Sequence, residues 1–223
     1  MTAATNAKRG WQLSIASGKG GTGKTTAASV LARLLAARGE KLEVLDCDVD
    51  EQNVHLHFDC TRTGREPVRA RRPVLDESLC TMCGACERAC RFNAIMLGLE
   101  RVYIQESLCH SCGGCALACP SGAIRDELMR IGYVEAYETG CGIRLRSGRS
   151  DIGETSLTRI IREVRGKADP LASKIIDSPP GTSCALAASV QGTDYCLIVT
   201  EPTDYGVHDM ELLIEALDGM GIP

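Results

Sequence analysis

Apolar and polar positions change period several times along the chain, and each change marks an element. Trp11, Leu13 and Ile15 alternate with polar neighbours, as a strand requires. A glycine-rich stretch follows, and Ala27, Val30, Leu31, Leu34 and Leu35 then recur at helical spacing until Gly39 stops the run. Leu42, Val44 and Leu45 make a short apolar strand ending in Asp46, Cys47 and Asp48, at the carboxyl edge where ligands bind in open α/β sheets. The rhythm returns further on. A helical pattern through Leu157, Ile160, Ile161 and Val164 leads to the strand Lys174 to Asp177. A further buried strand is predicted from Tyr195 to Thr200, and an amphipathic helix from Val207 to Leu217, closed by Gly219. The predicted fold class is α/β, a mostly parallel sheet flanked by helices. Gly219 to Pro223 reads as an αβ loop that delivers the chain to a next parallel strand, so the fold is expected to be incomplete at its C-terminal end.

The rhythm is interrupted in the middle. Thr61 to Pro73 is rich in arginine and carries Gly64 and two prolines, which predicts an exposed connector. Beyond it, Glu77-Ser78-Leu79-Cys80 is echoed by Glu106-Ser107-Leu108-Cys109, and Ala94-Ile95 by Ala123-Ile124. Val74 to Arg125 is therefore an internal duplication. A stretch containing Gly, Arg and Ser, Gly140 to Ser150, precedes the return of the α/β pattern. Two domains are expected: a discontinuous one over 1–60 and 126–223, and an inserted one, with its linker, over 61–125.

Composition narrows the chemistry. With 25 basic and 29 acidic residues the net charge is -4, which suggests neither a nucleic-acid binder nor a membrane-surface protein. Thirteen cysteines would suit a secreted disulfide scaffold, but the start, Met1 to Gly10, is polar and lacks the apolar core of a signal peptide. No apolar stretch approaches the length of a membrane span, so a cytoplasmic setting is expected, with thiols used for metal. Aromatic residues are only 4%, so the core should be built from Val, Ile, Leu and Ala.

Gly18-Lys19-Gly20-Gly21-Thr22-Gly23-Lys24-Thr25 matches GxxxxGK[ST] between a predicted strand and a predicted helix, with Thr26 following. Glycines let successive backbone N–H groups turn inward around phosphate oxygens, and the helix N-terminus adds a favourable dipole. Lys24 supplies charge, and Thr25 offers a hydroxyl to Mg²⁺. A bare glycine turn needs neither Lys24 nor Thr25.

Cys80, Cys83, Cys86 and Cys90 follow CxxCxxCxxxC, and Cys109, Cys112, Cys115 and Cys119 repeat it with Pro120 directly after. Zinc sites use paired CxxC units at a longer separation, which these runs do not show. The pattern resembles the bacterial two-cluster ferredoxin, in which the fourth cysteine of each run ligates the other cluster. That resemblance implies one 4Fe-4S cluster on Cys80, Cys83, Cys86 and Cys119, and another on Cys109, Cys112, Cys115 and Cys90. Arg91 stands where the first run would carry proline, and its charge is expected to raise the potential of the neighbouring cluster. Of the remaining cysteines, Cys47 and Cys196 read as small buried hydrophobes. Cys141 and Cys184 are candidates for a dimer seam, and Cys60 has no assigned role. The histidines form no ligand-spaced set.

The phosphate loop, with a lysine after its first glycine, resembles the deviant loop of the MinD/ParA and nitrogenase iron-protein group, whose members form nucleotide-sandwich dimers. The resemblance implies that Lys19 reaches the phosphates of a facing subunit, like an arginine finger. It also implies two switches. In the first, Asp48 would orient or activate water and Asp46 would support Mg²⁺. In the second, Asp177-Ser178-Pro179-Pro180-Gly181, Asp177 would sit at the outer shell of the metal and the Gly181 N–H would meet the γ-phosphate. Taken with the cysteine runs, the chain resembles MinD-superfamily ATPases with an inserted ferredoxin domain. The implied cofactors are ATP, Mg²⁺ and two 4Fe-4S clusters. The implied activity is slow ATP hydrolysis by a homodimer, with the nucleotide state coupled to electron transfer toward a redox or iron-sulfur acceptor protein. An iron-sulfur assembly or carrier ATPase is the second reading, and an ATP-controlled positioning or partitioning module with redox-sensing clusters the third.

Overall fold

The computed structural model describes residues 9–223, so the polar start up to Lys8 lies outside the described residues. The opening unit forms as the pattern predicts: β1 (Gln12–Ala16), α1 (Lys24–Ala37) and β2 (Leu42–Asp46). Next comes β3 (Cys60–Leu75), which leads into a small unit of α2 (Ala85–Ala89), β4 (Ile95–Leu97), β5 (Val102–Ile104) and α3 (Gly114–Ala118). The chain returns through β6 (Ile124–Thr139) and β7 (Arg144–Ser150). It finishes with α4 (Leu157–Gly166), β8 (Ser173–Asp177), α5 (Cys184–Val190), β9 (Tyr195–Ile198) and α6 (Asp204–Gly219).

One seven-stranded sheet, in the order β3-β6-β7-β2-β8-β1-β9, organises the molecule. Its strands run parallel from β7 to β9, while β6 is antiparallel to both β3 and β7. β2 and β8 are buried along their whole length, as central parallel strands covered on both faces must be. Successive residues alternate between faces. Val44 and Ile175 pack with Ala28 and Ala32 of α1, whereas Leu45 and Ile176 pack with Ile160, Ile161 and Val164 of α4 and with Ala185 and Ala188 of α5. The core is aliphatic, as composition implied.

Two expectations need correction, and one stretch left without an assignment proves to be a strand. Thr61 to Pro73 is not a connector but most of β3, paired with β6 from Cys60↔Thr139 to Leu75↔Ile124. Its alternation is real, since Val68, Ala70 and Arg72 are buried, but arginines on both faces hide it. Pro67 and Pro73 are accommodated because β3 is an edge strand, where a missing N–H costs no ladder bond. Gly140 to Ser150 contains β7, whose Arg146 reaches the buried Glu43 at 2.7 Å, so a polar strand lies inside the sheet. Tyr195 to Thr200 is not a buried strand: β9 ends at Ile198 on the opposite edge, with Tyr195 65% exposed.

The duplication seen in sequence is repeated in the backbone of the small unit. Short 3-10 turns at Glu77–Leu79 and Glu106–Leu108 precede left-handed residues Met82 and Ser111, each at φ 55°. Gly84 (φ 70°) and Gly113 (φ 74°) then open α2 and α3. Asp76 N–H donates to Ala123 O and Gln105 N–H to Ala94 O, both at 2.8 Å, so each half is closed by a residue of the other end of the repeat. Among the described residues no helix is long and apolar enough to cross a membrane.

Candidate functional site

β1, β8 and β2 end at one level. Ile15 and Asp46 are both register partners of Asp177, and the Cys47 N–H donates to the Asp177 carbonyl at 2.9 Å. The loop from Ser17 to Gly23 leaves β1 at this level and enters α1, with Gly21 (φ 79°) and Gly23 (φ 93°) in the left-handed region that a side chain would disfavour. Gly18 is required for another reason, because a Cβ there would lie 2.4 Å from Cβ of Asp209 on α6. The first residue of α1, Lys24, is buried at 6% exposure, and its charge offsets those of Asp48 and Asp177.

Thr25 Oγ1 donates to Asp177 Oδ2 at 2.6 Å. Asp46 Oδ2 accepts from the Val54 N–H at 3.2 Å and from Ser147 Oγ at 3.3 Å. The other oxygen of each carboxylate, Asp46 Oδ1 and Asp177 Oδ1, is buried with no partner, and so is Thr22 Oγ1. Burial pushes the Asp177 carboxyl up to about 6, and burial together with the nearby Asp177 raises Asp46. Asp48, more open, is also raised by burial, with Lys24 opposing. Two fully buried carboxylates with orphaned oxygens beside a threonine hydroxyl are a donor set that fits a hard divalent cation such as Mg²⁺.

Two expected site residues are otherwise engaged in this structure. The Gly181 N–H, expected to face a γ-phosphate, donates to the Ser17 carbonyl at 2.9 Å, which ties the second switch to the loop. Lys19 Nζ lies 2.7 Å from Glu201 Oε2 of the same chain, with both side chains partly exposed. Glu201 and Ser147 were not singled out by the sequence; both sit on segments whose position follows only from the strand order.

In the small unit none of the eight cysteines of the two runs forms a disulfide. Cys80, Cys83, Cys86 and Cys119 line one small pocket. Cys90, Cys109, Cys112 and Cys115 line a second. The left-handed residues turn each loop around its void, and the Ala94 N–H donates to Cys90 Sγ at 3.3 Å. Among the described residues no three His, Cys, Asp or Glu side chains converge closely enough to hold a single metal ion; the thiols ring the voids instead. Four thiols around a void of this kind fit a polynuclear iron-sulfur group by donor chemistry. Arg91 is exposed on the first run.

The remaining cysteines divide by burial. Cys47 is fully buried and its thiol is raised by desolvation, while Cys196 is pushed up to about 11 by partial burial. Cys60 Sγ donates to the His55 carbonyl at 3.3 Å. Cys141 is exposed in the turn between β6 and β7, and Cys184 is exposed at the start of α5.

The family model of the CbiA domain, described as the CobQ/CobB/MinD/ParA nucleotide binding domain, matches residues 13–221. An uncharacterized protein of Methanocaldococcus jannaschii is 37% identical over 209 residues, covering 93% of this chain and 73% of its own. The septum site-determining protein MinD of Escherichia coli is 44% identical over 48 residues, 22% of this chain and 18% of its own. Among solved structures, the cell division ATPase MinD of Pyrococcus furiosus aligns with a TM-score of 0.50 at 19% identity, covering 96% of this chain and 68% of that one. With the phosphate loop, the paired strand-end aspartates and the sheet order in place, the chain belongs to the CobQ/CobB/MinD/ParA nucleotide-binding family.

Proposed function

We propose that this is an ATPase that binds MgATP, hydrolyses it slowly as a homodimer, and couples its nucleotide state to electron transfer through two 4Fe-4S clusters held by an inserted ferredoxin-like domain that, together with the strand leading into it, spans residues 61–125. The observation that carries the reading is the crossed grouping of thiols, with Cys119 joining Cys80, Cys83 and Cys86, and Cys90 joining Cys109, Cys112 and Cys115. Those two sets would hold the clusters, whose chemistry is one-electron storage and transfer. Gly18 to Thr26 would cradle the phosphates, Thr25 and Asp46 would hold Mg²⁺ with Asp177 behind them, and Asp48 would position water. Lys19 would leave Glu201 to meet the nucleotide of the other subunit, and the Gly181 N–H would exchange the Ser17 carbonyl for a phosphate oxygen. The protein would work in the reducing cytoplasm.

Redox use is favoured over cluster delivery because four thiolates per void leave no exchangeable ligand of the kind that donation requires. Anaerobic purification followed by an EPR-monitored redox titration, with and without MgATP, tests the reading. Clusters that stay bound while their potential shifts with nucleotide are expected. Clusters passed to an apo-ferredoxin, with no shift, would replace electron transfer by a carrier role.

A further inference from the structure

Between β3, the small unit, α4 and α5 runs an open groove of about 1430 Å³, larger than the roughly 300–1,000 Å³ typical of small-molecule sites. Arg69 and Arg71 project into it from β3, Arg159 and Arg162 from α4, and His110 from the second cysteine loop. All five are exposed, and no aspartate or glutamate among the described residues lines the groove. Arg159 has only its helix neighbour Glu163, at 3.7 Å, while Arg69, Arg71 and Arg162 form no ion pair among the described residues. In a chain of net charge -4 this is a local concentration of unpaired positive charge. The wall at its inner side is shared: Arg71, His110, Ser111 and Cys112 line both the groove and the void of Cys90, Cys109, Cys112 and Cys115.

We infer that this groove is the docking surface for an acidic electron-transfer protein, received over the His110–Cys112 wall; the inference rests on the cluster reading of that void and adds the class of partner. Charge complementarity supports a protein of negative surface potential. Arginines beside exposed apolar groups such as Leu128 (68% exposed) and Met220 (39% exposed) are the mixture found at protein interfaces, where Arg and Met are enriched. A nucleic acid is less well served, since the groove has no Phe, Tyr or Trp on which bases would stack.

Titration of the full-length protein with labelled flavodoxin and labelled bacterial ferredoxin, both acidic, against basic cytochrome c tests the inference by fluorescence anisotropy. At least one acidic protein should bind more tightly than cytochrome c, and raising the salt from about 50 to 300 mM should weaken that binding by about tenfold. Arg69→Glu/Arg162→Glu should lose a further tenfold or more, while Arg38→Glu, at the end of α1 on the opposite face of the sheet, should change nothing. Neither acidic protein outbinding cytochrome c, an unaffected charge-reversal variant, or duplex DNA displacing the acidic protein would overturn it. Protein isolated free of iron would sink the cluster reading instead, and the anisotropy titration would still decide the groove.

Discussion

Arg72 and Glu154 form a buried, charge-assisted pair, with one guanidinium nitrogen 2.5 and 2.6 Å from the two carboxylate oxygens and side chains only 4% and 9% exposed. The same guanidinium donates to the Cys109 carbonyl and to Ser111 Oγ. Glu154 in turn accepts from the Ser156 N–H at the start of α4. One pair thus ties the second cysteine loop to the helix that packs on α5. Desolvation raises the cost of each charge alone, so removing one partner costs more than removing both. Arg72→Met or Glu154→Leu is expected to destabilise the fold by about 3 kcal/mol, and Arg72→Met/Glu154→Leu by clearly less than the sum. Urea unfolding of the four proteins measures this, and additive losses would contradict it.

The buried carboxylates predict a pH dependence. Asp177 has its carboxyl raised from 3.8 to about 6, so its contribution to stability is complete below its ordinary range and is lost as pH rises through about 6. The nucleotide-free protein should therefore become less stable between about pH 4 and 6. A divalent cation binds the ionised form, so the rise in Tm given by MgADP should grow across the same interval. Asp177→Asn should stabilise the nucleotide-free protein at pH 7 by on the order of 2 kcal/mol and abolish the magnesium-dependent part of the shift. Thermal scans at pH 5 and 7 with and without Mg²⁺ provide the check.

Lys19 and Lys24 should separate by phenotype. Lys24→Ala removes a buried charge from the phosphate loop and is expected to lower nucleotide affinity by at least about tenfold, or 1.4 kcal/mol. Lys19→Ala should leave the affinity of the monomer within about twofold, because its partner here is the partly exposed Glu201, a contact of the kind worth about 1 kcal/mol or less. Its loss should appear in ATP-dependent dimerisation, read by light scattering.

Crossed ligation would have a direct signature. Cys90→Ser and Cys112→Ser should perturb the same EPR signal, although they belong to different runs, and Cys119→Ser should perturb the signal altered by Cys83→Ser. Pairing within each run would give the opposite grouping.

How far the sequence was legible depended on whether a residue's role was local. The phosphate loop, both strand-end aspartates and the duplicated cysteine runs are contiguous motifs; the loop lies between β1 and α1, and Asp46 and Asp177 end β2 and β8. The ribbon of β3 and β6 was missed because its inward positions include Arg72 and Glu135, whose burial is made tolerable by Glu154 and Arg62, distant in sequence. β7 was missed for the same reason, since Arg146 and Glu43 neutralise each other across two strands. The engagement of Gly181 by Ser17 and of Lys19 by Glu201 involves segments far apart in the chain, and no local pattern announces either.

The ribbon has one mechanical result. β6 pairs with β7 only from Gly132 to Glu138, so the stretch from Arg69↔Arg130 to Leu75↔Ile124 projects about 23 Å past the sheet as a two-stranded cantilever, at about 3.3 Å per residue. The cysteine unit rides on its far end, held also by Arg72 to Glu154 and by Thr155 to the Ser107 carbonyl, while β7 joins its root to the strand that ends in Asp46. A tilt of a few degrees at the root becomes an ångström-scale displacement at the tip, with the Arg72 pair as the strut that limits the swing.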